Sequence, residues 1–533
     1  MTARRRIAMA AGALTILVAF AGCARLDRMD LPGQVTTQAI PTLLDPLTVP
    51  QFINPLPNPL APSFIFEPTA GTHYDIGVYQ TQQHLLGPSL PATTVWGYGY
   101  EGDANSATFP GRTFEVERDQ QVSVTWYNHL IDGSGDPLPH LLPVDTSVHW
   151  AFDDAPGATL ADDGVPIVTH LHGGHTEAES DGNPDAWFTP DFGVTGRLFN
   201  HDYVYDNDQE AATLWYHDHA MGITRLNVYA GLAGFYLIRD DNERDLNLPD
   251  FPYEIPLVIQ DRMFTSDAQL YLPSQPLEPE AITELTSHDP SVQPEFFGNV
   301  ILVNGVAWPF TNVEPRKYRL RFLNGSDSRF YDLRLQTEQD QPGPALTQIG
   351  SDDGLLEAPV PLESLVLAPG ERADVIVDFS DPALWNHVLI MKNTARQPYP
   401  KGDPPDPRTA GRIMAFRVVV PLDDADTTSL PSDLRPIYGN IDPLTATAPS
   451  RQLLLFEAID EYGRLKPSLG TVADGIQAYA DPVTETVGLD DTEIWEIYNT
   501  TEDAHPIHLH LVSFQILDRQ KFTTTQDPTT GAF

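Results

Sequence analysis

Seven of the sixteen histidines in this chain fall into three short runs. They are His170-Leu171-His172-Gly173-Gly174, Trp215-Tyr216-His217-Asp218-His219 and His505-Pro506-Ile507-His508-Leu509-His510. Residues two apart on a strand share a face, so each His-x-His presents two imidazoles one rung apart. A lone pair of this kind more often marks hydrogen-bonded histidines than ligands. Three such pairs, each beside an apolar or glycine-containing strand signal, argue for a shared purpose. If they converge, six nitrogen ligands surround one small volume. Imidazole suits copper, zinc, iron and nickel, so ligand type alone leaves the metal open. Ligand count narrows the choice, because one zinc ion takes about four ligands and a catalytic one keeps about three from protein. Six paired histidines exceed what a single ion uses and fit a cluster of coppers. His505, offset by three residues and turned by Pro506, is expected at a separate site.

Strands must hold these residues, and the sequence reads as β-rich. At 533 residues the chain is too long for one ordinary core. Its 49 prolines and 37 glycines are scattered, as expected for many short strands separated by turns. Phe114 and Val116, then Val122, Val124 and Trp126, alternate with polar residues, the period of half-buried strands. The pattern returns at Tyr318, Leu320 and Phe322 and again at Val375, Val377 and Phe379. No helical period of convincing length intervenes. Polar stretches at 239–250 and 421–436 read as linkers. The expected architecture is all-β: one sandwich over 64–240, a second over 248–420, and a third, incomplete, over 437–533.

The N-terminus reads as an export signal over residues 1–22, with Arg4, Arg5 and Arg6 before an apolar run too short to span a bilayer. Phe20-Ala21-Gly22-Cys23 resembles a lipoprotein cleavage site, which would place a lipid anchor on Cys23. Residues 23–63, rich in proline and threonine, read as a tether. The expected location is therefore periplasmic or extracellular, with membrane contact only through that anchor. Cys23 is the sole cysteine, which excludes an intramolecular disulfide and any cysteine-based zinc or iron–sulfur site. The net charge of −43 repels nucleic acid and anionic lipid.

Four stretches carry a family resemblance: HLHGGHTEAESDGNPDAWFTP, LWYHDHAMGITRLNVYAGLAGFYLIRD, ILVNGVAWPFTNVEPRKYRLRFLNGS and DPVTETVGLDDTEIWEIYNTTEDAHPIHLHLVSFQILDR. With weaker similarity between them, the chain from about residue 64 onward resembles the spore-coat laccase and bilirubin oxidase branch of the multicopper oxidases. The resemblance implies three cupredoxin-like Greek-key sandwiches, the third truncated. It implies type 2 copper on His170 and His508, a type 3 pair on His172, His217, His219 and His510, and type 1 copper on His505. Asp181 matches an acidic residue that delivers protons near the cluster in this branch; an Asp-Gly surface turn is the alternative. The other nine histidines, His73, His84, His129, His140, His149, His175, His201, His288 and His387, are expected at the surface or in the core.

The implied activity is one-electron oxidation of phenolic or related small-molecule donors, coupled to reduction of dioxygen to water. Bilirubin-type and metal-ion oxidation are the alternatives within the family. Seven unclustered methionines disfavour a methionine-rich cuprous oxidase. The family's His-Cys-His motif, which supplies the type 1 thiolate, has no counterpart here. The expectation is a fragment that is inactive alone, and a truncated copper-binding or cupredoxin scaffold protein is the rival from another class.

Overall fold

Alternating apolar side chains build the two sheets that carry the first histidine runs. Val122, Val124 and Trp126 point inward from strand Val122–His129, which pairs in parallel with His73–Gln83 and antiparallel with Asp202–Tyr205. Thr93–Tyr100 completes this four-stranded sheet. The second sheet runs in the order Gly111–Glu117, Ala233–Arg239, Ala212–Asp218, Thr169–His172. Tyr98 and Trp126 from the first sheet meet Phe114 and Tyr216 from the second, with ring centroids 5.0–6.2 Å apart. These tilted and edge-on contacts fill a sandwich core in the geometry aromatic quadrupoles favour. The parallel pairs require crossovers, so each sheet mixes hairpin and crossover connections.

The computed structural model describes residues 41–275 and 290–525. The expected signal over 1–22, Cys23, the first part of the tether, His288 and residues 526–533 lie outside them. The described chain is mostly β, as expected, and its longest described helix, Thr224–Ala230, has seven residues.

A second pair of sheets follows. Lys317–Asn324 lies centrally in an eight-stranded sheet, parallel to Glu254–Phe264 and antiparallel to Arg372–Asp378. A five-stranded sheet contains Phe310–Val313, Arg412–Val418, Val388–Asn393, Tyr331–Thr337 and Leu365–Leu367. The alternation at Tyr318, Leu320 and Phe322 is real, but the opposite face is not solvated: Arg319 and Arg321 are buried as well. Among the described residues beyond 450, one four-stranded sheet forms, in the order Gly475–Gln477, Leu465–Thr471, Arg451–Ile459, Trp495–Asn499. The chain from 500 to 525 then runs without regular secondary structure.

One expectation needs correction. The second half of the expected tether is a strap fixed to the body: the backbone N–H groups of Leu44, Phe52 and Leu56 donate to the carbonyls of Phe264, Trp308 and Phe310, and Val49 and Leu60 are buried. Isolated bridges of this kind leave no periodic signature in sequence. The polar stretch 239–250 joins the strands Ala233–Arg239 and Glu254–Phe264 through an ordered segment. Asp240 caps the short helix Asp241–Asp245 by accepting from Glu243 N, and Asn242 and Glu243 are buried.

Candidate metal centre

Strand register brings the first two runs together. Thr169–His172 pairs antiparallel with Ala212–Asp218 so that His170 stands opposite His217 and His172 opposite Trp215. His219 lies just past the strand end, held where its N–H donates to Val168 O. The third run reaches the same place without being a strand. His510 stacks on His170 with centroids 4.0 Å apart at 15°, and His508 stacks on His172 at 3.6 Å and 8°. His217 to His219, His219 to His510 and His508 to His510 then span 5.8, 5.2 and 4.8 Å. All six paired histidines therefore share one volume.

The ring nitrogens are poised as ligands. His170 Nδ1 donates to Asp181 O at 2.5 Å, leaving Nε2 buried with no partner. His217 Nδ1 donates to Asp218 O at 2.7 Å, and its Nε2 faces His172 Nδ1 at 3.3 Å. His219 Nδ1 is also buried and unpartnered. Buried polar atoms are nearly always satisfied, so two orphaned ring nitrogens, His170 Nε2 and His219 Nδ1, within one histidine cluster fit donors for a cation. One ring nitrogen each from His170, His172 and His508 lies within 4.8 Å of the other two, and His170, Asp181 and His510 form a second such trio. The donor set fits copper.

Burial and mutual repulsion favour the neutral form of His170, His172, His217, His219 and His508, the protonation state that coordinates metal. Burial depresses His172 and His217 far below the ordinary histidine range, with Arg372 adding to the effect on His172 and His170 to that on His217. His219 and His508 are each pushed down to about 3, by burial first and then by His170. Burial alone would raise the Asp181 carboxyl, but hydrogen bonds from His170 and His510 outweigh it and hold the group well below the carboxylate range. Asp181 Oδ2 accepts from His510 Nδ1 at 2.7 Å. The Asp181-Gly182 turn exists, yet it packs on the first ligand strand: a Cβ at Gly182 would stand 2.2 Å from Thr169 O.

His505 is placed apart, its Nε2 bonded to Thr501 Oγ1 at 2.7 Å. His175, beside the Gly173-Gly174 turn, faces Asp208 at 3.4 Å and does not join the six. His140 is a core residue, bonded through Nε2 to Asn227 Oδ1. Asn227 also donates to Asp218 Oδ1, so this buried amide braces the loop between His217 and His219. Neither it nor Gly370, where a Cβ would sit 3.4 Å from His172 Cε1, was singled out from sequence. Nothing in their spacing relates them to the histidines.

Two multicopper oxidase sequence profiles match residues 165–243 and 458–532. A laccase of Bacillus stratosphericus is 42% identical over 488 residues, covering 91% of this chain and 87% of its own. A laccase of Bacillus subtilis is 41% identical, covering 89% and 85%. The crystal structure of the multicopper oxidase McoA from Aquifex aeolicus shares the fold, with a TM-score of 0.62 at 24% identity, covering 88% of this chain and 86% of that one.

Proposed function

Because the chain belongs to the multicopper oxidase family of oxidoreductases, whose members bind type 1, type 2 and type 3 copper, we propose that it is a laccase-like enzyme. Phenolic or related donors are its electron source and dioxygen its acceptor, with four electrons and four protons converting each dioxygen to two waters. The observation that carries this reading is the convergence of six imidazoles, those of His170, His172 and His217 buried, with His170 Nε2 and His219 Nδ1 left without a partner.

In this reading His170 and His508 hold the type 2 copper, His172, His217, His219 and His510 hold the type 3 pair, and His505 serves the type 1 site. Copper bound there would supply the one-electron redox chemistry. The protein's own contribution begins with tautomer choice. Asp181 O accepts a hydrogen bond from His170 Nδ1–H, and Asp218 O accepts one from His217 Nδ1–H, so each ring keeps Nε2 free of its proton for a metal. Asp181 is an ionised acceptor joined to two cluster histidines, which suits it to orient both rings, and its place beside the cluster is the proposed point of proton delivery. Burial of His170, His172 and His217 excludes bulk water from their side of the cluster. Residues 1–22, read as an export signal, and the charge of −43 favour work outside the cytoplasm on small-molecule donors rather than nucleic acid.

Elemental analysis of the purified chain is the first test. More than one copper per chain is expected, with loss of that uptake when His170→Ala and His508→Ala are combined. A correctly folded chain that takes up no copper would refute the reading.

A further inference from the structure

We propose that Arg372 is a positioning residue that lends the cluster a fixed positive charge, biasing it towards the cuprous state. This inference rests on the copper reading above. Arg372 opens the strand Arg372–Asp378 in the sheet next to the ligand sheet, and its side chain is only 4% exposed. Its fork is committed to main-chain carbonyls: Nε donates to Thr213 O, Nη1 to Gly370 O and Nη2 to Asp352 O, each at 3.0 Å. Thr213 lies on the strand that carries His217. Gly370 is the residue packed on the His172 ring. Nη2 reaches the turn immediately after His172, lying 2.6 Å from where a Cβ on Gly173 would be. The guanidinium is thus clamped between the strand of one ligand and the flanks of another.

A side chain so fully engaged does not recruit an anion or a substrate, and it cannot lose its proton in the physiological range. What remains is its charge, delivered in a region of low dielectric where charges are felt strongly. Its one paired carboxylate, Asp352, meets Nη1 at 2.9 Å and is 47% exposed, so water screens that partner while the guanidinium stays dry. A nearby positive charge opposes Cu(II) more than Cu(I). Arg372 should therefore raise the Cu(I) affinity of the site relative to its Cu(II) affinity.

The test is a pair of competition titrations on the full chain, one against a cuprous chelator and one against a cupric chelator. Arg372→Met is expected to lower the ratio of Cu(I) to Cu(II) affinity about tenfold, equivalent to 59 mV for a one-electron couple. Arg372→Lys, which keeps the charge and loses the fork, is expected to retain most of the ratio. Asp352→Asn removes the opposing charge from a half-exposed position and is expected to move the ratio the other way. A purely structural clamp predicts that Met and Lys shift the ratio alike and that Asp352→Asn does nothing; that pattern overturns the proposal. If the unsubstituted chain binds no copper, the copper reading itself fails and this inference falls with it. If it binds copper and Arg372→Met leaves the ratio unchanged, only this inference fails.

Discussion

Replacing Glu254 by Gln tests whether the ligand sheet is anchored by buried charge. Glu254 is 2% exposed and receives Arg239 through two bonds of 2.9 Å and Arg321 through one of 2.5 Å. Arg319 lies 3.6 Å away. The buried part of the network contains Arg239, Arg319 and Arg321 against Glu243, Glu254 and Asp374, three charges of each sign, with the more exposed Glu115 also on Arg239 and screened by water. Arg321 extends it to the ligand sheet by donating to Thr213 Oγ1 at 2.8 Å. Glutamine preserves the volume but leaves three buried cations facing two anions. Removing one partner of a buried ion pair costs about 3–5 kcal/mol, because the other charge remains desolvated. The E254Q chain should unfold at correspondingly lower urea, while R321M/E254Q, which restores neutrality, should lose less than the sum of the single losses. Acid should reproduce the effect. Burial opposes ionisation of Glu243 and Glu254, but the arginines outweigh it and depress both carboxyls. Their folded pKa values lie below the unfolded ones, so the stabilisation is fully present above about pH 4.5 and fades as pH falls through the depressed values. Urea midpoints measured from pH 7 down to pH 3 would show this loss in the parent and its blunting in E254Q. An E254Q chain within about 1 kcal/mol of the parent, or strict additivity in the double variant, would refute the argument.

Asp181→Asn keeps the size of the carboxylate but removes the charge that orients His170 and His510, and copper affinity is expected to drop about 10–100-fold by chelator competition. Gly370→Ala places a methyl group 3.4 Å from His172 Cε1 at a φ of +81°, so a loss of roughly 1–2 kcal/mol in thermal stability and lower copper content are expected together. Burial pushes His140 down to about 4 against a modest opposing bond to Asn227. Its folded pKa is below its unfolded value, so its neutral form stabilises the chain above about pH 6.5 and that contribution is lost as pH falls through about 4. His140→Gln, which can still bond Asn227, should flatten the urea midpoint over that window; an unchanged slope would show that His140 does not titrate there.

What the sequence made legible, and what it hid, separate along the range of the interactions involved. The pairing of His170 with His172 was readable because it is local: one strand, period two. Convergence of the second run was only a condition in the sequence, and a short antiparallel register meets it by placing His217 opposite His170. The third run reaches the cluster by stacking from an irregular segment, so the rung argument named the right residues for a reason that holds only in part. Hidden entirely were the features created by partners distant in sequence. Arg319 and Arg321 alternate with apolar residues and would pass for a solvated strand face. They are buried because Glu243, Glu254 and Asp374, on three other elements, arrive opposite them. Arg372 is the same lesson beside the cluster itself. A lone arginine after a Gly-Glu turn signals nothing, yet folding sets it against the strand of His217 and the turn after His172. The ligand atoms of such a centre are thus written in short motifs, whereas the charges around them are written in tertiary contacts. Two chains sharing every histidine could therefore differ in copper preference through residues that no motif contains.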